Sequence, residues 1–248
     1  MKLDEYLMKE LNISKPKARE IVFVIEKYKK SKKKKHLNIN IPKYTLGEEL
    51  FNSISHGIGA VFSIVALILM VVKAHGIINE ATVSLFGVSM IILYVMSCIY
   101  HALPPSLEGK KVLRVIDHCN VFLLVFGTYI PVSLLGVGGA KGWILFGVIG
   151  AFTIIGIVFT AINVDKYKVI ATICHVINGW SILIGIPELI NNAGHEGLLF
   201  MILGGVMYTI GSVLYGLGSK KKYMHCIFHV FCLLGTFFHF WSIYMYLI

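Results

Sequence analysis

His225 and His229 lie four residues apart, a spacing that stacks two imidazoles on one face of a helix. Ser97 and His101 repeat that spacing. Imidazoles paired in this way can offer two ligands to a zinc ion, as in helices of the HExxH type. His101 completes a set of three and leaves the fourth tetrahedral position to water. Three protein ligands plus water is the form of a catalytic zinc site, whereas structural sites are closed by four. Asp117, which precedes a second polar residue, His118, is expected to hydrogen-bond that water or to orient a ligand. Ser97 is expected to donate to a water or to a substrate carbonyl oxygen. Glu49, Asn52, Ser55 and His56 form a further polar group. Of these, Glu49 and His56 are expected to tie their helix to the site rather than to bind the ion. His239 reads as a helix–helix hydrogen-bonding residue. His75, His175 and His195 read as interfacial residues, and His36 as part of a solvated tail.

These polar residues sit in a very apolar chain. Of its 248 residues 56% are hydrophobic and 15% charged, against about 25% charged in soluble domains. The net charge is nevertheless +10. A chain both apolar and basic keeps its Lys and Arg in loops and tails, which marks a membrane protein rather than a nucleic-acid binder. Five cysteines, an odd number without a CxxC, argue against a disulfide framework or a zinc ribbon. The first residues lack the basic, apolar, small order of a cleavable signal peptide.

Seven apolar segments are long enough to cross a bilayer as helices, at about 54–73, 83–103, 115–136, 142–162, 169–189, 198–217 and 226–248. The fold expected is therefore an all-α, seven-transmembrane bundle over residues 44–248, preceded by a basic extension over 1–43. Pro131, after Gly127-Thr128-Tyr129, is expected to kink the third span. If the N-terminus is cytoplasmic, 21 of the 23 Lys and Arg fall on the cytoplasmic side, leaving Lys73 and Lys141 outside. The positive-inside rule then places the C-terminus outside and the protein in a bacterial cytoplasmic membrane. In the extension, Lys29, Lys30 and Lys32 to Lys35 are expected to hold that end inside and to meet anionic lipid headgroups. No base-reading pattern accompanies these lysines, so nucleic acid is not an expected partner.

This topology makes the polar residues informative. The starts of spans one, three and seven and the end of span two all reach the cytoplasmic face. Four helices therefore bring Glu49, His56, His101, Asp117, His225 and His229 to one depth. Ionisable groups in spanning helices cost about 2.5–3.5 kcal/mol each on insertion scales, so such convergence calls for a function.

Glu49-x-x-Asn52-x-x-Ser55-His56, Ser97-x-x-Tyr100-His101, Asp117-His118, Gly127-Thr128-Tyr129-x-Pro131, His225-x-x-Phe228-His229 and His239-Phe240 together resemble the hemolysin III family. That family belongs to the progestin and adiponectin receptor superfamily. The resemblance runs from about residue 44 to the C-terminus. It implies a seven-helix bundle with Zn2+ held in the cytoplasmic leaflet by the residues matching His101, His225 and His229. It also implies that Asp117 and Ser97 lie beside the zinc-bound water. Relatives of this kind suggest zinc-dependent hydrolysis of a lipid amide, while bacterial members are named for hemolysis and associated with membrane-lipid homeostasis. The leading expectation is a ceramidase-like hydrolase with a membrane lipid as substrate. The alternatives are a pore-forming protein and a lipid-sensing receptor with structural zinc. Oligomeric state is left open by the sequence.

Overall fold

The computed structural model describes residues 2–34, 39–217 and 221–248, which are helical apart from short connections, with no strand among them. It divides into two units, Met1–Asn38 and Ile39–Ile248. The first holds α1 (Leu3–Leu11) and α2 (Lys15–Lys34). Asn12, left-handed at φ 47°, turns the chain between them. On α2, Ile21, Val22 and Ile25 are partly buried, while Val24 and Tyr28 are exposed. Lys35 and His36 lie outside the described residues, as do the side chains of residues 30–34.

The second unit begins five residues before the expected boundary at 44. Asn40 explains the difference: its amide donates to Asp165 and its carbonyl accepts from Arg114, which fastens residues 39–43 to the helices that follow. Thr45 then starts α3 (Leu46–Lys73) through a capping box in which Thr45 and Glu48 bond each other's backbone amides. The box extends the helix eight residues ahead of the expected span, which brings Glu49 and Asn52 into it.

α3 is built for a lipid solvent. Asn52, His56, Gly59, Ser63, Ala66 and Met70 recur at three- and four-residue steps and are buried. Ile54, Ile58, Val61, Val65, Ile68 and Val72 recur at the same steps and are exposed, Val72 to 75%. Polar and small residues inside with branched apolar residues outside is the arrangement a bilayer favours, because only the protein interior can satisfy polar groups. Among the described residues six stretches are long and apolar enough to cross a membrane, so the chain is a multi-pass membrane protein.

After α3 come α4 (Ile77–Ala102), α5 (Gly109–Pro131), α6 (Gly139–Ile162), α7 (Lys168–Gly179), α8 (Ile186–Leu217) and α9 (Met224–Ser242). Each packs on its predecessor or on the short turn joining them, and α9 returns to α3 and closes the ring. Pro131 ends α5, and a π-helical turn over Val132–Val137 follows. The fifth stretch, Lys168–Gly216, has 49 residues. Straight, it would run about 73 Å, over twice the roughly 30 Å of hydrocarbon. It breaks at Ser181–Gly185 and at Gly194, whose φ of 70° and ψ of 176° suit glycine alone. Trp180 Nε1 donates to Thr209 Oγ1 at 3.0 Å, which a continuous helix could not allow. The stretch is therefore a hairpin of two helices.

Candidate metal centre

The spacing of each helix turns one polar face inward at the same end of the ring. α3 contributes Glu49, Asn52 and His56; α4 contributes Ser97 and His101; α5 contributes Lys110 and Asp117; α9 contributes His225 and His229. All nine are buried. Nε2 of His225 and Nε2 of His229 are 3.1 Å apart. His101, His225 and His229 each bring one ring nitrogen within 4.8 Å of the others.

The orientation of His101 is set from its far side. Its Nδ1 donates to Glu49 Oε2 at 2.7 Å, with the Asn52 amide 3.5 Å from the same nitrogen. Nε2 has no partner and keeps its lone pair. Glu49 Oε1 accepts from Lys110 Nζ at 2.6 Å, and Lys110 also donates to the Leu103 carbonyl. A buried lysine thus bonds one oxygen of a buried carboxylate whose other oxygen holds an imidazole, an arrangement that raises ligand basicity. His56 stacks on His229 with centroids 3.7 Å apart and planes 16° from parallel. Tyr44 stacks on His225 at 5.0 Å and 13°. Burial keeps the Tyr44 hydroxyl protonated well above the ordinary phenol range.

The donor set fits a metal ion. Buried polar atoms without partners cost about 1–3 kcal/mol each, and native structures keep few of them. Here His101 Nε2, the ring nitrogen not bonded to Glu49, has none. Around zinc, with ligand bonds of about 2.0–2.1 Å, tetrahedral nitrogens stand roughly 3.3 Å apart, near the spacing His225 and His229 already have.

Asp117 and Ser97 lie against each other. With His56 and His229 they line a narrow cavity that is otherwise largely apolar and reaches Trp180 and His239. His118 turns away from the three histidines: Nδ1 donates to the Arg114 carbonyl at 2.8 Å, and Nε2 accepts from Tyr215 Oη at 2.9 Å. His239 makes the expected helix–helix bond, to the Met201 carbonyl at 3.2 Å. His75 and His195 are exposed. His175 departs from its expected interfacial role. Its ring packs on Phe122 at 3.5 Å, its Nδ1 is buried, and it lines the inner cavity.

Sequence reasoning missed Lys110, Arg114, Asp165 and Tyr44. Arg114 bonds Asp165 at 2.7 Å and carries the Asn40 carbonyl, so the segment before α3 is clasped beside the site. The pattern Lys110-x-x-x-Arg114, one helical turn apart at the start of a span, was the available signal.

A model of the family described as Haemolysin-III related matches residues 44–240. The chain is 35% identical over 205 residues to Hemolysin-3 of Bacillus cereus, covering 81% of this chain and 92% of that protein. To the Hemolysin-3 homolog of Bacillus subtilis (strain 168) it is 31% identical over 196 residues, covering 78% and 91%. It is 22% identical over 212 residues to the Monocyte to macrophage differentiation factor of Homo sapiens, covering 83% and 87%.

Proposed function

The chain belongs to the haemolysin-III-related family, and from that premise we propose that it is a zinc-dependent hydrolase of an amide-containing membrane lipid. The observation that carries this reading is the meeting of three imidazole nitrogens, one of them from His229, which together with Asp117 and Ser97 lines an apolar cavity. His101, His225 and His229 would hold the ion. Bound there, zinc supplies Lewis acidity that polarises a carbonyl and makes water nucleophilic near neutral pH.

The protein's own groups do the rest. Asp117, buried beside Ser97, takes a proton from the attacking water and returns it to the departing amine. Ser97 donates a hydrogen bond to the water or to the carbonyl oxygen as negative charge develops there. Glu49 and Lys110 hold His101, while His56 and Tyr44 hold the rings of His229 and His225. The apolar cavity receives the acyl chain and keeps bulk water from the reacting carbonyl. The Lys and Arg distribution supports a cytoplasmic membrane location with the site in the cytoplasmic leaflet.

The test is elemental analysis of detergent-purified protein beside amide-lipid hydrolysis. Wild type is expected to carry one zinc per chain, and His229→Ala none. Asp117→Asn should keep the zinc and the fold while losing activity by roughly 10²–10⁴-fold. Full activity in Asp117→Asn, or zinc retained in the double variant His225→Ala, His229→Ala, would refute the assignment. Zinc lost together with the fold in every histidine variant, and no hydrolysis in the wild type, would move the protein to a sensor with structural zinc.

A further inference from the structure

Beside the metal centre lies a larger cavity of about 550 Å³, lined by residues of the segment before α3 and of the ends of α4, α5, α7, α8 and α9. Five Lys and Arg side chains line it, namely Lys43, Arg114, Lys168, Lys221 and Lys222, against two carboxylates, Glu48 and Asp165. Both carboxylates are already engaged. Glu48 accepts from Thr45 and from the Tyr223 amide. Asp165 accepts from Arg114 and from the Asn40 amide. The cavity therefore keeps an excess of positive charge.

The cavity is continuous with the site through shared walls. Lys168, His118, Tyr215 and His225 line both it and a narrow inner cavity. That inner cavity in turn shares Asp117, Val121, His175 and Phe228 with the apolar one that passes His229. Among the described residues Lys168 is the one Lys or Arg that lines both the outer and an inner cavity. Its Nζ sits 4.2 Å over the Tyr215 ring, with no carboxylate within ion-pair distance among the described residues.

We propose that the outer cavity is a subsite for a phosphate group, and that the ligand of this site is an amphiphile with a phosphate-bearing head in the cationic chamber and its acyl chain in the inner cavity. Lys168 and Lys222 are its principal contacts. The claim rests on the hydrolase reading for the tail and the reacting carbonyl, but not for the head. A phosphate presents strong acceptors and a charge that ammonium groups complement, and each charge-assisted bond is worth about a tenfold change in affinity or more.

The experiment measures equilibrium binding of radiolabelled dodecyl phosphate to the full chain in phosphatidylcholine nanodiscs, with dodecanol and inorganic phosphate as competitors and zinc content determined on the same samples. Saturable binding is expected, weakened about tenfold or more in Lys168→Gln, Lys222→Gln, with dodecanol a poor competitor. Both lysines are at least partly exposed, and unchanged zinc content in the variant shows that the site is intact. Competition by inorganic phosphate at equal affinity would keep the subsite and name free phosphate as its occupant. Equal binding of dodecanol, or undiminished binding in the double variant, would overturn the proposal. Wild type with zinc but indifferent to phosphate fails this proposal alone. Wild type without zinc that still prefers dodecyl phosphate fails the hydrolase reading alone.

Discussion

Glu49 is the residue on which the candidate metal centre turns. It is 52 residues from His101 and 61 from Lys110, yet one of its oxygens reaches each. A carboxylate behind an imidazole fixes which nitrogen keeps the lone pair, and removing such a partner usually weakens metal binding by about 10–100-fold. Glu49→Gln should preserve the shape of this contact while losing its charge. A loss of zinc affinity of that order is expected in competition with a chelator, with the helical circular dichroism unchanged. Wild-type affinity in the variant would reduce Glu49 to a partner of Lys110.

At the scale of elements, the broken helical stretch from α7 to α8 needs explicit support, because bilayer hydrocarbon offers nothing to freed backbone groups. Tyr129 provides it. Its hydroxyl donates to the Gly179 carbonyl at 2.6 Å and accepts from the Ile182 amide at 2.9 Å. This gives a physical reason for the tyrosine of the Gly127-Thr128-Tyr129 motif, which brings α5 against the break. Tyr129→Phe leaves both groups unpaired and should cost about 1–3 kcal/mol. A lower midpoint of thermal unfolding in detergent is the expected result, with the zinc content of the folded fraction unchanged. An unaltered midpoint would mean that the break is held by other contacts.

At the scale of the membrane unit, one clasp joins the segment before α3 to the loop after α6. Burial alone would raise the Asp165 carboxyl, but Arg114 and the Asn40 amide outweigh it and hold it below the ordinary range. A depressed carboxyl contributes stability that is full above its unfolded value, about 3.9, and lost as pH falls through the folded value. The protection of residues 39–45 from hydrogen exchange, relative to the intrinsic rate at each pH, should therefore be high at neutral pH and fall on acidification below about 4. Asp165→Asn should exchange fast already at pH 7 and lose the dependence. Equal protection in the variant would show that the clasp does not hold the segment.

Much of this was legible along the chain. A buried polar group in hydrocarbon needs a partner, so His101, Asp117, His225 and His229 stood out against their apolar surroundings, and i, i+4 spacing told which of them share a face. The lipid-facing and inward steps of α3 follow from the same periodicity. Tertiary structure alone decided the pairings. Lys110 and Arg114 counted as ordinary basic residues at a membrane edge, yet both are buried against groups 61 and 74 residues away. Tyr44 carries no signal in its own spacing, and only the fold lays it on His225. Periodicity states which way a side chain points from its own helix. It carries no information about which residue of another helix stands opposite, because that depends on how the ring closes.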